Sequence, residues 1–534
     1  MAVLTQINHS RIYLFGLMVM AIALPTSNLL MSLSQILIAT NWVLEGQFKE
    51  KVERFMANKP ALIFTSIFGL HLLGLLHTAN WEYAAWDLRN KVPLLVLPFL
   101  ITSSNPLSRQ MIDRVFAVFT VTTVIATVLC AGELTPINNW VRDIMGYPER
   151  EIINARMISH FISHVRFALM ICLAFFWLLS QMVQGQLSLI RRLAFTAISL
   201  WLMVFMFLME SVTGLSIIII IGFGTLIYLA VQQKSLAVKG VSILLLALIP
   251  TVATTYVANI VSDFYKVKED NITNLPRYTA SGMLYFHDLD NDQLENGNYV
   301  WRYVCHLEIE PAWEKRSAVP FKGKDKVGQF VEYTLFRYMS SRGLAKDAEG
   351  LAQMNDAEIT AVENGIANVR FTEVSSIESR IFGIIWQIND YLNQGDPGGH
   401  SLTQRWEFWK TGVKLFNSNV LFGIGTGDVY QELLTQYEID DSSLVAAYRK
   451  HPHNQYLSIG LAFGLVGLLW FIFALLYPVY VNRGHLSYVA LVFLGIALLS
   501  MITEDTLETQ AGVSFVTFFY SLLFLAPIPA ARLK

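Results

Sequence analysis

The chain has 534 residues, of which 54% are hydrophobic and 15% are charged, with a formal net charge of −2. Soluble domains carry roughly 25% charged residues, so this composition and a mean hydropathy of +0.45 exclude an ordinary soluble protein. The net charge alone identifies no partner, and no nucleic-acid partner is predicted. The three cysteines, Cys130, Cys172 and Cys305, provide no disulfide framework.

Apolar runs of about 20 residues, the length that crosses a bilayer as a helix, recur along the chain. The runs lie near 12–24, 28–45, 60–78, 92–104, 112–132, 161–183, 193–210, 213–232, 239–259, 456–478, 485–503 and 511–530. Prolines interrupt several early ones, so the number is approximate. The sequence therefore predicts an all-α polytopic integral membrane protein with about twelve transmembrane helices.

The distribution of Lys and Arg predicts the orientation. Arg11 and Ala21-Ile22-Ala23 imitate a secretory signal, but a second span follows at once, so an uncleaved first helix is expected. With a cytoplasmic N-terminus, fourteen basic residues fall in inner segments and five in short outer loops. The five outer residues are Arg89, Lys91, Arg142, Arg150 and Arg156. This asymmetry predicts a multi-pass membrane protein with a cytoplasmic N-terminus, whose outer face is the periplasmic one if the cell is Gram-negative.

One long hydrophilic stretch, residues 260–453, then falls on the outer, periplasmic face. Apolar residues at helical spacing in 328–341, 377–392 and 402–416 predict a mainly helical insertion between the ninth and tenth spans. The predicted domains are spans 1–9 in residues 1–259, the periplasmic loop in 260–453, and spans 10–12 in 454–534.

Three arginines on the predicted outer face are candidates for binding an anion. Arg166 enters a long apolar run, Arg89 lies just before a span, and Arg405 lies on the insertion helix that leads back to the membrane. A guanidinium near membrane depth is costly. Each arginine could simply pair with a carboxylate or extend to the headgroups. Together with neighbouring histidines they favour an anionic ligand, since the planar guanidinium suits phosphate.

The sequence His-Pro-His-Asn at 451–454 places two imidazoles where a polar segment meets an apolar helix. A single interfacial histidine would more often be structural. A zinc site needs three or four ligands, and no matching cluster stands nearby in the sequence. We therefore expect His451 and His453 to act in general base chemistry, with Asn454 orienting a ring or a substrate.

Three other motifs carry less weight. Asp288 to Asp292 resembles a calcium loop but lacks its glycine and its final glutamate, so a surface turn is expected. Gly423 to Asp428 imitates a nucleotide loop outside any βαβ context; it is either an anion-binding nest or a tight turn. Thr503 to Gln510 holds three carboxylates, which either partner the arginines and histidines or solvate a helix end.

These features together resemble the O-antigen ligase family of membrane glycosyltransferases, in particular its Bacteroidetes-type members. The segments that carry the resemblance are WDLRNKVPLLVLP (86–98), SHVRFALMI (163–171), RWEFWKTGVKLFNSNVLFGIGTGD (405–428), HPHNQYLSIGLAFGLVGLLW (451–470) and MITEDTLETQAG (501–512). Family members often carry Ser-Arg-x-Gly near the start of a middle span. Residues 210–214 are Glu-Ser-Val-Thr-Gly here, so a role for that arginine does not transfer.

The resemblance implies a GT-C-like fold, a location in the bacterial inner membrane with the active site on the periplasmic face, and the transfer of a glycan from undecaprenyl pyrophosphate to a hydroxyl of lipid A–core. It implies that His453 is the base, with support from His451, and that the arginines bind pyrophosphate, Arg166 and Arg405 more strongly than Arg89. The supporting residues are Asn454, Asp87, Glu504 and Asp505. Displacement without metal or cofactor is expected, with inversion at the anomeric carbon.

Alternatives remain open. An O-antigen polymerase or a protein O-oligosaccharyltransferase would use the same donor, base and cations. A polysaccharide or lipid transporter would instead require polar residues deep in several spans and repeated halves, and the sequence has neither.

Overall fold

The computed structural model describes residues 8–135, 155–184, 187–232, 235–268, 274–373, 376–395, 397 and 401–526. Five basic residues that enter the prediction of orientation lie outside these ranges: Arg142, Arg150, Lys234, Arg532 and Lys534.

The described part of the chain is mostly α-helical. The helices before residue 270 are α1 (His9–Ala23), α2 (Asn28–Glu45), α3 (Phe48–Ala57), α4 (Lys59–Leu73), α5 (Trp81–Lys91), α6 (Pro93–Ser103), α7 (Arg109–Gly132), α8 (His164–Gln184), α9 (Leu189–Leu208), α10 (Val212–Gln232) and α11 (Leu236–Tyr265). Those after it are α12 (His306–Glu314), α13 (Val331–Arg342), α14 (Ala348–Ala352), α15 (Asp356–Glu363), α16 (Arg370–Glu373), α17 (Ser376–Gln394), α18 (Ser401–Ser418), α19 (Val429–Ile439), α20 (Gln455–Val481), α21 (Tyr488–Thr503) and α22 (Gln510–Tyr520).

Two short strands, β1 (Leu294–Glu295) and β2 (Asn298–Tyr299), pair antiparallel, with Leu294 opposite Tyr299. Polar side chains begin many of the helices, because the first N–H groups of a helix need an acceptor. The Asn80 side chain, for example, accepts from the N–H of Tyr83 at 3.0 Å and fixes the start of α5.

Seven helices in the described ranges are long and apolar enough to cross a membrane. They are Lys59–His77, Arg109–Gly132, His164–Val183, Leu189–Leu208, Val212–Gln232, Leu236–Tyr265 and Gln455–Val481. The pair α2 and α3, bent by 119°, would be an eighth, and three shorter apolar helices are α1, α21 and the segment Gln510–Leu525. The prediction of a helical multi-pass membrane protein is confirmed in this coarser form; twelve spans and a GT-C-like fold stay predictions.

The chain forms two compact units, one of residues 1–229 with 394–534 and one of residues 230–393. The second unit has its own core, in which Trp313, Tyr338 and Phe336 are fully buried. Residues 394–453, predicted as part of the outer insertion, fold with the first unit instead, because α18 and α19 contribute Phe408 and Leu433 to its core. On which side of the membrane residues 260–453 lie stays a prediction.

Helix α20 is broken at Gly464, where φ is +66°. A side chain there would collide with the backbone of Leu421, so only glycine fits the position. Across the break, the N–H of Leu465 donates to the carbonyl of Val420 at 2.6 Å. Backbone groups freed inside a membrane helix need such partners, and the segment before α19 supplies them.

The Gly-rich turn at 423–427 donates backbone hydrogen bonds to the broken helix α20 and does not form an anion-binding nest. The N–H groups of Ile424 and Gly425 donate to Leu461 and Ala462 at 2.9 Å each. The N–H of Gly427 donates to the Thr78 hydroxyl at 2.8 Å. With these donors occupied, the turn packs against the broken helix, and the tight-turn alternative is the one found.

Candidate active site

The candidate site lies at the start of α20 in the first unit. Four segments contribute: the first turn of α8 with Arg166, the first turns of α18 with Arg405, residues 451–454 before α20, and the connection between α21 and α22 with Glu504 and Asp505. All four segments are helix starts or short connections, so these polar groups meet at the ends of the apolar helices and not along their apolar sides.

Both arginines bind the same carboxylate. Arg166 Nη1 donates to Glu504 Oε2 at 3.1 Å, and Nη2 donates to the Asp505 carbonyl at 2.8 Å. Arg405 Nη2 donates to the other oxygen, Glu504 Oε1. The Arg166 side chain is 9% exposed and that of Arg405 is 28% exposed. The sequence left open that each arginine simply pairs with a carboxylate. Such pairing occurs, but the two arginines share one carboxylate, which brings their guanidinium groups together.

His453 faces this pair. Its Nδ1 lies 3.8 Å from both Glu504 Oε2 and Asp505 Oδ2, and its side chain is 34% exposed. The backbone of His453 has φ +49°, and its N–H donates to Asp505 Oδ2 at 3.0 Å. A left-handed conformation is uncommon for residues other than glycine, and this hydrogen bond helps to hold the backbone of His453 in it. We call Arg166, Arg405, His453, Glu504 and Asp505 the Glu504 cluster.

The pKa of His453 lies below its ordinary value. Burial lowers it, the carboxylates of Asp505 and Glu504 oppose that shift, and the guanidinium groups of Arg405 and Arg166 add to it. A lowered pKa keeps the imidazole neutral near pH 7, which is the form that accepts a proton.

Asp505 fixes the start of α20. Its Oδ1 accepts from the N–H of Asn454 at 3.1 Å and from the Ser458 hydroxyl at 2.7 Å. The Asn454 side chain in turn accepts from the N–H of Leu457 at 3.0 Å, as the cap of the helix. The Asn454 oxygen thus fixes the helix start, and the predicted role of this residue in orienting a ring or a substrate stays a prediction.

A second ionic network, the Lys91 cluster, lies beside the first and consists of His71, Asp87, Lys91, Gln455 and Glu508. Lys91 donates to Asp87 and, at 2.6 Å, to Glu508 Oε2; its side chain is 1% exposed. Gln455 donates to Glu508 at 2.9 Å, and His71 Nδ1 lies 3.4 Å from Asp87. A buried cation is here enclosed by two carboxylates.

The enclosure also shifts the pKa values of the cluster. Burial raises the pKa of Glu508 to about 7, although Lys91 opposes the shift. Burial would lower the pKa of Lys91, but Glu508 and Asp87 outweigh it and raise the pKa above the ordinary value. Lys91 is therefore charged at neutral pH, with its donors directed at its own carboxylates.

His451 belongs to the surroundings of the Lys91 cluster rather than to those of Glu504. Its Nε2 lies 3.1 Å from the Tyr83 hydroxyl, and its ring stacks on Tyr430 at 4.9 Å. It lines a cavity of about 30 Å³ together with His71, Lys91 and Ser458. Burial lowers the pKa of His451, against the field of Asp505, and His453 and Lys91 lower it further.

Arg89 and the motif at 288–292, which the sequence also singled out, belong to neither cluster. Arg89 is exposed, and none of the described residues forms an ion pair with it, so its predicted contact with pyrophosphate stays a prediction. Asp288 and Asn291 accept from backbone N–H groups two residues onward, at 3.1 and 3.0 Å, as turn residues do. Within the described ranges no group of three or more His, Cys, Asp or Glu side chains is placed to hold a metal ion.

Sequence reasoning missed several members of the two clusters. Ser458 and Gln455 lie on α20 and gave no distinguishing pattern. Lys91 was counted only among the outer basic residues, although its spacing of four residues from Asp87 is that of a helical ion pair. The three carboxylates of 503–510 are partners of the cations, the first of the two alternatives, with Glu508 on Lys91 and the others in the Glu504 cluster.

Comparison with known proteins agrees with the resemblance. Residues 371–472 match the family model described as O-antigen ligase. The match contains Arg405, His451, His453 and Asn454 and ends before Glu504. No curated protein matches the chain. The family supports a function of the O-antigen ligase or polymerase type, and the apolar helices agree with a multi-pass membrane protein. This segment of the chain, which includes part of the Glu504 cluster, is therefore similar to the O-antigen ligase family.

Proposed function

We propose that the protein is a glycosyltransferase that moves a glycan from undecaprenyl pyrophosphate to a hydroxyl of lipid A–core, at the periplasmic face of the inner membrane. The observation that carries the proposal is the convergence of Arg166 and Arg405 on one carboxylate that lies 3.8 Å from His453. Two cations and a neutral imidazole are the groups that this reaction requires.

The arginines suit the pyrophosphate. A guanidinium has five N–H donors, and Arg405, 28% exposed, directs Nη2 at Glu504. Its other donors lie in the same plane, which is the geometry that pairs with phosphate oxygens. In the protein alone Glu504 is the anion that accepts from both guanidinium groups.

His453 suits the acceptor. With Nδ1 turned toward Glu504 and Asp505, Nε2 is left to take the proton of a sugar hydroxyl. The carboxylates stabilise the imidazolium that results, as in other base–carboxylate pairs.

The proposed glycan transfer requires no cofactor. The acceptor oxygen attacks the anomeric carbon and loses its proton to His453. The bond from that carbon to the phosphate oxygen breaks, and its electron pair leaves with the pyrophosphate, whose charge Arg166 and Arg405 stabilise. Attack from the face opposite the leaving group inverts the anomeric centre, and the energy comes from the donor.

The test is a strain that lacks the gene, analysed for glycan that remains on the lipid carrier. We expect full-length glycan to accumulate on the carrier and lipopolysaccharide to lose it, and the wild-type gene, but not His453→Ala, to restore transfer. Single repeat units on the carrier would identify a polymerase, and loss of glycan from proteins alone would identify a protein O-oligosaccharyltransferase. Normal glycan attachment in the deletion strain contradicts the proposal.

Metal independence is tested separately. The purified protein in excess EDTA should transfer glycan at its untreated rate, and a loss restored by added divalent cation would contradict the direct mechanism.

A further inference from the structure

Helix α3 turns sharply away from the apolar helix α2 that precedes it. The two helices are bent by 119°, and the turn between them has two left-handed residues, Gly46 at φ +70° and Gln47 at φ +55°. The next helix, α4, begins at Lys59 and is long enough, with the turn that follows it, to cross a membrane. Helix α3 is therefore a short transverse segment between two apolar helices.

Buried contacts fix the angle of this turn. Lys51 pairs with Glu45 at 2.9 Å and donates to the Trp42 carbonyl at 2.6 Å. The buried Phe55 ring packs edge-on against Phe99 of α6, with the ring centroids 5.1 Å apart. One side of α3 is thus held against the protein, so α2 and α3 form a fixed corner.

Three apolar side chains form an exposed stripe along another side of α3. Phe48, Val52 and Met56 are four residues apart, the spacing of neighbours on one helix face. They are 50%, 43% and 58% exposed, so the described residues leave about half of each uncovered. Val43 and Leu44, in the last turn of α2, are exposed as well. Apolar side chains therefore remain uncovered on both sides of the corner.

The order of side chains around α3 follows from the helical period of about 100° per residue. Lys51 and Phe55 face the protein, and the exposed apolar stripe comes next around the axis. Lys49 and Glu53, both exposed, lie beyond the stripe. Lys49 borders the stripe, so its stem can run along apolar side chains while its ammonium reaches polar surroundings. Separate apolar and charged sides are typical of a helix that lies in the plane of a membrane interface.

We propose that α3 lies flat in the membrane–water interface, with Phe48, Val52 and Met56 among the lipid chains and Lys49 at the headgroup phosphates. Helix α3 is then a surface anchor and not the second half of a broken span. The bilayer is the occupant that fits the stripe, because apolar helices on both sides of α3 reach the same boundary. Such helices bury their apolar face about 5–10 Å into the boundary between headgroups and acyl chains. The distribution of Lys and Arg predicts that this boundary is the cytoplasmic one, and nothing in this placement depends on the proposed glycan transfer.

The test measures depth by spin labelling of the full-length protein in nanodiscs of phosphatidylethanolamine and phosphatidylglycerol. Val52→Cys and its matched control Glu53→Cys each receive a nitroxide; the three native cysteines are buried and should react little. Oxygen concentrates in the bilayer, whereas a charged nickel chelate stays in water. The ratio of collisions with oxygen to collisions with the chelate should be at least fivefold higher at position 52 than at position 53. Phe48→Cys and Met56→Cys should behave as Val52→Cys does.

Two results would overturn the inference. Equal ratios at positions 52 and 53 would mean that both sides of α3 face water. Shielding of the label at position 52 from both reagents would mean that a second copy, and not lipid, covers the stripe. Melting temperatures in detergent show whether each variant is folded, and if Val52→Cys is destabilised, Met56→Cys and Ala57→Cys provide the same comparison one turn further along α3.

Discussion

Two ionic clusters lie side by side at the start of α20, and they use the same kinds of residue differently. In the Glu504 cluster two cations share one carboxylate, and Arg405 and His453 are 28% and 34% exposed. In the Lys91 cluster one cation is enclosed by two carboxylates and is 1% exposed. The first has a partly exposed cation that a ligand can reach, whereas the cation of the second is buried and bound by two carboxylates.

The difference shows how exposure and the ratio of charges separate a binding site from a structural ion pair. A buried charge is costly unless paired, and removing one partner is more damaging than the pair is stabilising. The Lys91 cluster is therefore expected to hold α5 and the connection before α22 in place, and the Glu504 cluster to bind and react. Four predictions test that division.

The largest effect is expected from the two histidines. His453→Ala should lower the transfer rate by about 10²- to 10⁴-fold, the usual contribution of a general base, while His451→Ala should lower it less because His451 pairs with Tyr83 outside the Glu504 cluster. Initial rates with purified protein measure both. Equal losses in the two variants would mean that the clusters are not functionally distinct.

The Lys91 cluster should reveal itself in stability. Lys91→Met leaves Asp87 and Glu508 without their cation and should lower the free energy of unfolding by about 3–5 kcal/mol, seen as a lower melting temperature in detergent. Arg89→Met, on the same helix but exposed and without an ion pair among the described residues, is the control and should change little. A Lys91→Met protein as stable as the control contradicts a structural role.

Replacing arginine by lysine keeps the charge and removes the planar fork. Arg405→Lys should raise the KM for the donor by about tenfold to a hundredfold, since a hydrogen bond to a charged group contributes roughly 1.5–3 kcal/mol. Arg483→Lys, whose guanidinium lies over the Tyr480 ring at 4.4 Å, is the control. An unchanged KM in Arg405→Lys would show that charge alone binds the donor.

The pH dependence should be the smallest effect near neutrality. Because the pKa of His453 lies below its ordinary 6.5, the neutral base is present above about pH 6.5, and the rate falls as the pH drops through the lowered pKa. Asp505→Asn removes the carboxylate that opposes this lowering, so its inflection should move further into the acid range. An inflection above pH 6.5 in the wild type would be inconsistent with this base.

Local sequence patterns were sufficient to predict some residues of the candidate site. Arg166 and Arg405 interrupt the expected distribution of charge, and His453 lies where a polar segment meets an apolar helix. The structure brings these three together, and the family match includes two of them. Charged residues at a membrane boundary cost free energy, so their presence indicates a function. They can be recognised in a single sequence.

Other roles could not be inferred in this way. The sequence marked Arg89 as an arginine on the outer face, but its neighbour Lys91 is the one that the fold buries between carboxylates. Nothing in the sequence indicated that the side chain of Asn454 caps α20. The Gly-rich turn looked able to bind an anion until its N–H groups were found bonded to α20 and to Thr78.

The sequence by itself determined that this is a helical protein with apolar segments of membrane length and with basic and imidazole groups at their boundary, because hydropathy and helical period are local properties. Only the tertiary structure decided which carboxylate each cation meets, since Glu504 is 338 residues from Arg166 along the chain. It also decided which cations stay accessible and how α3 is turned against α2. Contacts between distant segments depend on tertiary packing, which no local sequence pattern specifies.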